Sequence, residues 1–233
     1  MKTQLGRHIS EQFNLELESL RTHVLAMGGL VEEQFSLSLQ ALLKQDMQLA
    51  KKVHQDDQKV NQMEMAIDEA CTRVIAKRQP TARDLRLVLA IIKTISDLER
   101  VGDAAKRIAR VAQDAFSHQQ SELLIAVEAL GRIAVNMLHQ VLDAFARMDI
   151  KAAAQVYQMD QHIEQQYKML RQQLIEFMQQ DAESISKVML IMSGVHTIQR
   201  VGDRCQNICE YIVYFVEGKD VRHDPHYLMS LLD

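Results

Sequence analysis

Two carboxylates, Glu99 and Asp103, stand four residues apart inside the stretch DLERVGDAAKRIAR, residues 97–110. On an α-helix that spacing places both on one face, one turn from each other. Like charges so placed repel by about a few tenths of a kcal/mol, so a metal ion, a basic side chain or water must offset them. Oxygen donors of this kind suit hard cations. They equally suit docking of a basic partner surface. A second stretch, TIQRVGDRCQNICE at residues 197–210, repeats Arg-Val-Gly-Asp. There Gln199 takes the place of Glu99, and a neutral carbonyl replaces a carboxylate. His196, Gln199, Asp203, Asn207 and Glu210 form a polar stripe in which His196 could ligate. The candidate metal ligands are therefore Glu99, Asp103 and Asp203, with Asp57 and Asp160 as further oxygen donors. The candidate partner-contact residues are Glu99, Arg100, Asp103, Arg200 and Asp203.

These groups must be held by long helices. Apolar residues recur at helical spacing from about Ser10 to Lys44, with Gly28-Gly29 inside the run marking close packing against another helix. Asp46 is a good N-cap for a second helix, whose seam runs Ala50, Val53, Asp57, Val60, Glu64, Ile67, Cys71, Val74. Arg78-Gln79-Pro80 ends it. Thr81 with Asp84 resembles a capping box for a third helix, which carries the acidic pair and a mid-helix Gly102 that predicts a close neighbour. Lys106, Arg107 and Arg110 suit the C-terminal end of that helix by the dipole rule. Ser117–Gln120 is a polar break. The pattern then recurs: a helix from about Glu122 to Arg147, a fifth capped by Asp149, and a sixth over Ser184–Glu217 ended by Gly218. The tail from Lys219 is expected to be loosely ordered, with His223 and His226 as part of a solvated tail rather than a metal pair.

The second and fifth helices align at an offset of 103: Asp46 with Asp149, Val53 with Val156, Asp57 with Asp160. The Arg-Val-Gly-Asp copies align at an offset of 100. Two alignments in the same order at nearly one offset indicate a duplicated unit. The fold class predicted is all-α: two tandem three-helix bundles, six long helices related by an internal repeat. The repeats are expected over residues 1–118 and 119–218, followed by a C-terminal tail over 219–233. Aspartates in a seam need a cation. The simplest expectation pairs Asp57 with Arg100 and Asp160 with Arg200, each across its own bundle.

Composition bounds the function. Of 233 residues 47% are hydrophobic, but only 5% are aromatic, with 8 Gly and 2 Pro, which fits helical bundles. A formal net charge of −4 argues against nucleic acid as the main partner. Cys71, Cys205 and Cys209 are an odd number without framework spacing; they read as small core fillers in a reduced cytoplasmic chain. The first residues, MKTQLGRHISEQF, lack an apolar signal region, and no run reaches the roughly 18 apolar residues of a membrane span. No phosphate loop, nucleophile elbow or Glu-x-x-His pair occurs. The remaining readings are a signalling adaptor, a metal-binding or metal-dependent phosphohydrolase bundle, and a purely structural scaffold.

The chain resembles the PhoU family, the accessory regulators of bacterial phosphate transport. The likeness is carried by HISEQFNLELESLRTHVLAMGGLVE, by MEMAIDEACTRVIAKRQPTARDLRLVLAIIKTISDLERVGD, by LDAFARMD and by RVGDRCQNICEYIVYFVEGKDVRH. It covers nearly the whole chain. The family has two similar three-helix bundles, each with an E/D-x-x-x-D motif on its third helix. Glu99–Asp103 matches the first motif in full; Gln199–Asp203 lacks the leading acid of the second. The resemblance implies a cytoplasmic, dimeric, non-enzymatic protein that requires no cofactor. It would couple the phosphate ABC transporter to the phosphate-sensing histidine kinase and act as a negative regulator of the phosphate regulon. It would meet no nucleic acid, and the membrane only through its partners. Some members carry iron or another metal at the acidic motifs, which implies a divalent metal or iron at Glu99, Asp103 and Asp203.

Overall fold

The computed structural model describes residues 11–112, 121–222 and 224–232. Among them it shows helices and no strand. The first three are α1 (Glu11–Lys44), α2 (Met47–Arg78) and α3 (Ala82–Val111). Then follow α4 (Ser121–Arg147), α5 (Ile150–Gln180), α6 (Ile185–Glu217) and a short α7 (Pro225–Ser230). The junction expected at residues 118 and 119 lies outside the described residues.

The two N-caps expected from the repeat are in place and are copies of each other. Asp46 Oδ1 accepts from the amides of Gln48 and Leu49 at 2.8 and 3.2 Å; Asp149 Oδ1 accepts from Lys151 and Ala152, both at 3.0 Å. Each cap follows a residue in the left-handed region, Gln45 (φ 53°) or Met148 (φ 51°). Each also donates its own amide back to an alanine carbonyl, Ala41 or Ala144, at 3.0 Å. The same six-residue turn is thus built twice. Thr81 holds the N-cap position of α3, but its side chain makes no cap hydrogen bond, so the capping-box expectation does not hold there. Gly218 ends α6 with φ 76°, as expected, its amide bonded to the Tyr214 carbonyl at 3.0 Å.

Helices α1, α2 and α3 pack on one another, as do α4, α5 and α6, and α3–α6 and α1–α4 join the trios. One continuous apolar core runs through both, from Leu17 and Phe35 to Phe145 and Phe215. The α1–α4 contact is reciprocal. A Cβ added to Gly28 would fall 2.5 Å from Leu142, and one added to Gly131 would fall 2.9 Å from Leu39. Gly28 and Gly131 are 103 apart, and so are Leu39 and Leu142. Each half therefore offers a glycine to the other's leucine, the signature of a pseudo-twofold pair. Gly29, by contrast, faces open space.

Helix α4 is long and apolar enough over Leu123–Arg147 to pass a length-and-composition test for a membrane span. Its buried side chains, among them Val127, Leu130, Met137 and Phe145, lie in the core, so its apolar face is the packing face of a helix in the second trio. The tail is more ordered than expected. Asp224 caps α7 by accepting from the Tyr227 amide at 3.2 Å, and Leu228 and Val221 bury against Val213. His226 is exposed there, and His223 lies outside the described residues. All three cysteines are buried. Burial pushes the Cys71 thiol up to about 12, which keeps it inert.

Candidate functional site

The first acidic face lies between α2 and α3. Glu99, Asp103 and Lys106 follow i, i+4, i+7 spacing on α3 and look towards Asp57, Asn61 and Glu64 of α2. The Lys106 ammonium bridges Asp57 Oδ2 at 2.8 Å and Asp103 Oδ1 at 2.7 Å. Asn61 adds a long contact to Asp57 Oδ2 at 3.4 Å. Burial works against the Lys106 charge, but hydrogen bonds to Asp103 and Asp57 outweigh it and raise its pKa. The Glu99 carboxyl is raised, first by burial and then by the negative charges of Asp103 and Glu64. The cation that Asp57 requires is therefore Lys106, not Arg100. Arg100 sits on the other side of α3, with its side chain 54% exposed. Gly102 answers to side chains rather than to a backbone: a Cβ there would lie 3.1 Å from Gln34 Oε1 and 3.8 Å from Asp57 Oδ1.

The second acidic face, between α5 and α6, repeats the acids without the cation. Asp160 matches Asp57, but Gln206 stands where Lys106 stands. Among the described residues Asp160 Oδ1 is buried without a hydrogen-bond partner, 2.8 Å from where a Cβ on Gly202 would sit. Burial, helped by Asp203 and Glu164, pushes the Asp160 carboxyl up to about 6. Asp203 is raised by burial, against the pull of Arg204, Arg200 and a 3.0 Å bond from the Gln199 amide. The expected Asp160–Arg200 pair does not form, because Arg200 is exposed on the side of α6 that faces α3. Glu210, further along the stripe, is pushed up to about 7 by burial and by Asp220.

A third polar cluster joins the repeats. Asp97 on α3 is 1% exposed and gathers four side chains. Tyr211 donates its hydroxyl at 2.9 Å and Asn207 its amide at 3.3 Å to Asp97 Oδ2, and Arg100 and Arg204 reach Oδ1 at 3.3 and 3.4 Å. Sequence reasoning passed over Asp97. Its signal was present: the residue opens DLERVGD, while its counterpart in TIQRVGD is Thr197.

Beside this cluster a crevice of about 320 Å³ opens between α3 and α6. Arg100, Arg107, Arg200, Arg204 and His196 line it, together with the carboxylate of Asp103. The partner-contact candidates Arg100, Asp103 and Arg200 thus meet at one place. Glu99 and Asp203 do not line it; they face α2 and α5. His196 lies against the Tyr167 ring, centroids 6.0 Å apart.

The PhoU domain is matched twice, over residues 24–112 and 127–212. The chain is 55% identical over 219 residues to the phosphate-specific transport system accessory protein PhoU of Serratia marcescens, covering 94% of this chain and 90% of that one. The chain belongs to the PhoU family. Its counterpart in Escherichia coli K12, of the same name, is 53% identical over 94% of this chain and 91% of its own. The crystal structure of PhoU from Pseudomonas aeruginosa superposes with a TM-score of 0.83 at 41% identity, covering 89% of this chain and 100% of that one. The phosphate transport system regulatory protein PhoU from Streptococcus pneumoniae gives 0.84 at 33% identity, over 90% and 99%.

For a PhoU member the acidic faces raise the question of metal. Among the described residues no three His, Cys, Asp or Glu side chains gather as a metal cluster. In the first face the Lys106 ammonium already occupies the place between Asp57 and Asp103 that a cation would take. In the second, Gln199 turns its amide hydrogens, not its carbonyl, towards Asp203. As arranged, these donors do not fit a resident metal.

Proposed function

We propose that this protein is an accessory of a phosphate-specific transport system that regulates phosphate uptake and phosphate-starvation signalling. The observation that carries the reading is the 53–55% identity, over 94% of the chain, to relatives bearing that name. In finer terms it is a cytoplasmic, dimeric, non-enzymatic adaptor. It binds transporter subunits on one side and the phosphate-sensing histidine kinase on the other, and shifts the kinase towards its phosphatase state. Such a shift requires unequal affinity for the two kinase states. The contact residues are Arg100, Asp103 and Arg200, which bring both signs of charge to the α3–α6 crevice, with Glu99 and Asp203 on the flanking faces towards α2 and α5. Electrostatic complementarity of that kind serves specificity and rate of encounter.

The metal-dependent phosphohydrolase reading is disfavoured by Lys106, which neutralises the acids that would have to bind the metal. On this reading no divalent ion or iron is required, and metal analysis of untagged protein should find less than one ion per chain. Deletion of the gene should raise alkaline phosphatase in high-phosphate medium; unchanged phosphatase would reject the adaptor. Co-purification of transporter and kinase with the wild-type chain, lost on charge reversal at Arg100 and Arg200, would tie the function to this seam.

A further inference from the structure

The α3–α6 contact has two ends related by the internal repeat, and they differ in one respect. At one end Asp97 is the buried anion that holds Arg100 and Arg204. At an offset of 100 the other end places Thr197 where Asp97 stands, Arg200 where Arg100 stands, and Arg107 where Asn207 stands. The acid has gone; Arg200 keeps the place of Arg100, Ala104 stands where Arg204 stands, and Arg107 brings a new cation. Thr197 donates its hydroxyl to the Ser193 carbonyl at 2.8 Å and offers no charge. Among the described residues neither Arg107 nor Arg200 makes an ion pair, although Arg200 acts on the Asp203 charge through space. The one carboxylate that lines the crevice, Asp103, is taken by Lys106 at 2.7 Å.

We propose that the crevice between the repeats binds a small phosphate-type oxyanion, seated between Arg107, Arg200 and His196. There it does for the second end what the Asp97 carboxylate does for the first. Planar guanidinium groups match the oxygens of such an anion two at a time. The crevice, at about 320 Å³, lies at the small end of the range for ligand sites, roughly 300–1,000 Å³. A recess of that size between two helices suits a compact anion. Because the anion touches both α3 and α6, its binding bears on the seam between the repeats. The proposal stands apart from the adaptor reading, and either can fail without the other.

The test is calorimetric titration of the full chain at constant ionic strength, with inorganic phosphate in one arm and ADP in the other. Saturable binding at one site per chain is expected. Tighter binding of ADP than of phosphate would assign the anion to a nucleotide; the reverse would assign it to free phosphate; both support the site. Arg107→Gln and Arg200→Gln, at exposed positions, should each weaken binding by about tenfold or more. Thr197→Asp supplies the missing carboxylate from within and should abolish binding. Circular dichroism checks that each variant is folded, and the two arginine variants carry the test if Thr197→Asp is not. The proposal is overturned if neither anion saturates the wild-type chain, or if binding persists unchanged in the Arg107→Gln/Arg200→Gln double variant.

Discussion

Asp57 and Asp160 hold the same place in their repeats, each with Oδ1 near the glycine of Arg-Val-Gly-Asp, and the two halves treat that charge differently. The first half answers it with Lys106, 2.8 Å away. The second half answers with Gln206 and leaves Asp160 with a carboxyl pushed up to about 6. Duplication copied the backbone, the caps and the glycine contacts, while the charges diverged. The lesson is that a repeat preserves what packing demands, and electrostatics is free to differ between copies.

The largest effect should come from the contact that the repeat did not copy. Asp97→Ala would strand Arg100 and Arg204 beside a buried seam and leave Tyr211 and Asn207 without their acceptor. A loss of about 3–5 kcal/mol is expected, measurable by urea unfolding. Thr197→Ala, at the equivalent place, should cost far less. Lys106→Met comes next. It removes the shared cation of Asp57 and Asp103, and, because Lys106 remains 25% exposed, the expected cost is about 2 kcal/mol. The mutation Gln206→Met should be close to neutral, which is the sharpest contrast between the two faces.

Asp160→Asn should act in the opposite direction. The folded value of about 6 lies above the ordinary 3.8. Between about pH 4 and pH 6 the native state thus keeps a proton that the unfolded chain has lost, so stability falls as pH rises through that window. Above it the full penalty applies. The variant should be more stable at pH 7 by on the order of 1 kcal/mol, discounted because Asp160 is only half-buried, and should lose the slope between pH 4 and pH 6. Thermal melts at several pH values check both. A smaller effect belongs to Gln199→Glu, which completes the second acidic motif. It exchanges a 3.0 Å hydrogen bond for a like-charge pair at i, i+4, costing about 0.5 kcal/mol. A divalent-ion titration should show tighter binding in this variant than in the wild type.

Much of this architecture was legible in the chain. The Asp46 and Asp149 caps, the Gly218 stop and the doubled seam follow from residue type and spacing, which local physics controls. The pairing of charges was less so. The dipole rule accounts for Lys106 near the end of α3, but its spacing from Glu99 and Asp103 also puts it on their face. A seam aspartate such as Asp57 predicts that a cation is required but not from which turn it comes, so spacing does not separate Arg100 from Lys106. Asp97 went unnoticed because its partners arrive from α6, more than a hundred residues away, and periodicity does not say which faces of two bundles meet. The C-terminal helix was announced by Asp224-Pro225, an acid before a proline at the first helical position, with Leu228 to anchor it.

The interlocked leucines of α1 and α4 have a mechanical outcome. Sliding one trio along the other would pull Leu39 and Leu142 out of the notches at Gly131 and Gly28 and open voids on both sides at once. Among the described residues, the α1–α4 contact therefore resists sliding of one trio along the other. A pull that separates the trios must empty both notches together, so the two leucine contacts give way as a pair.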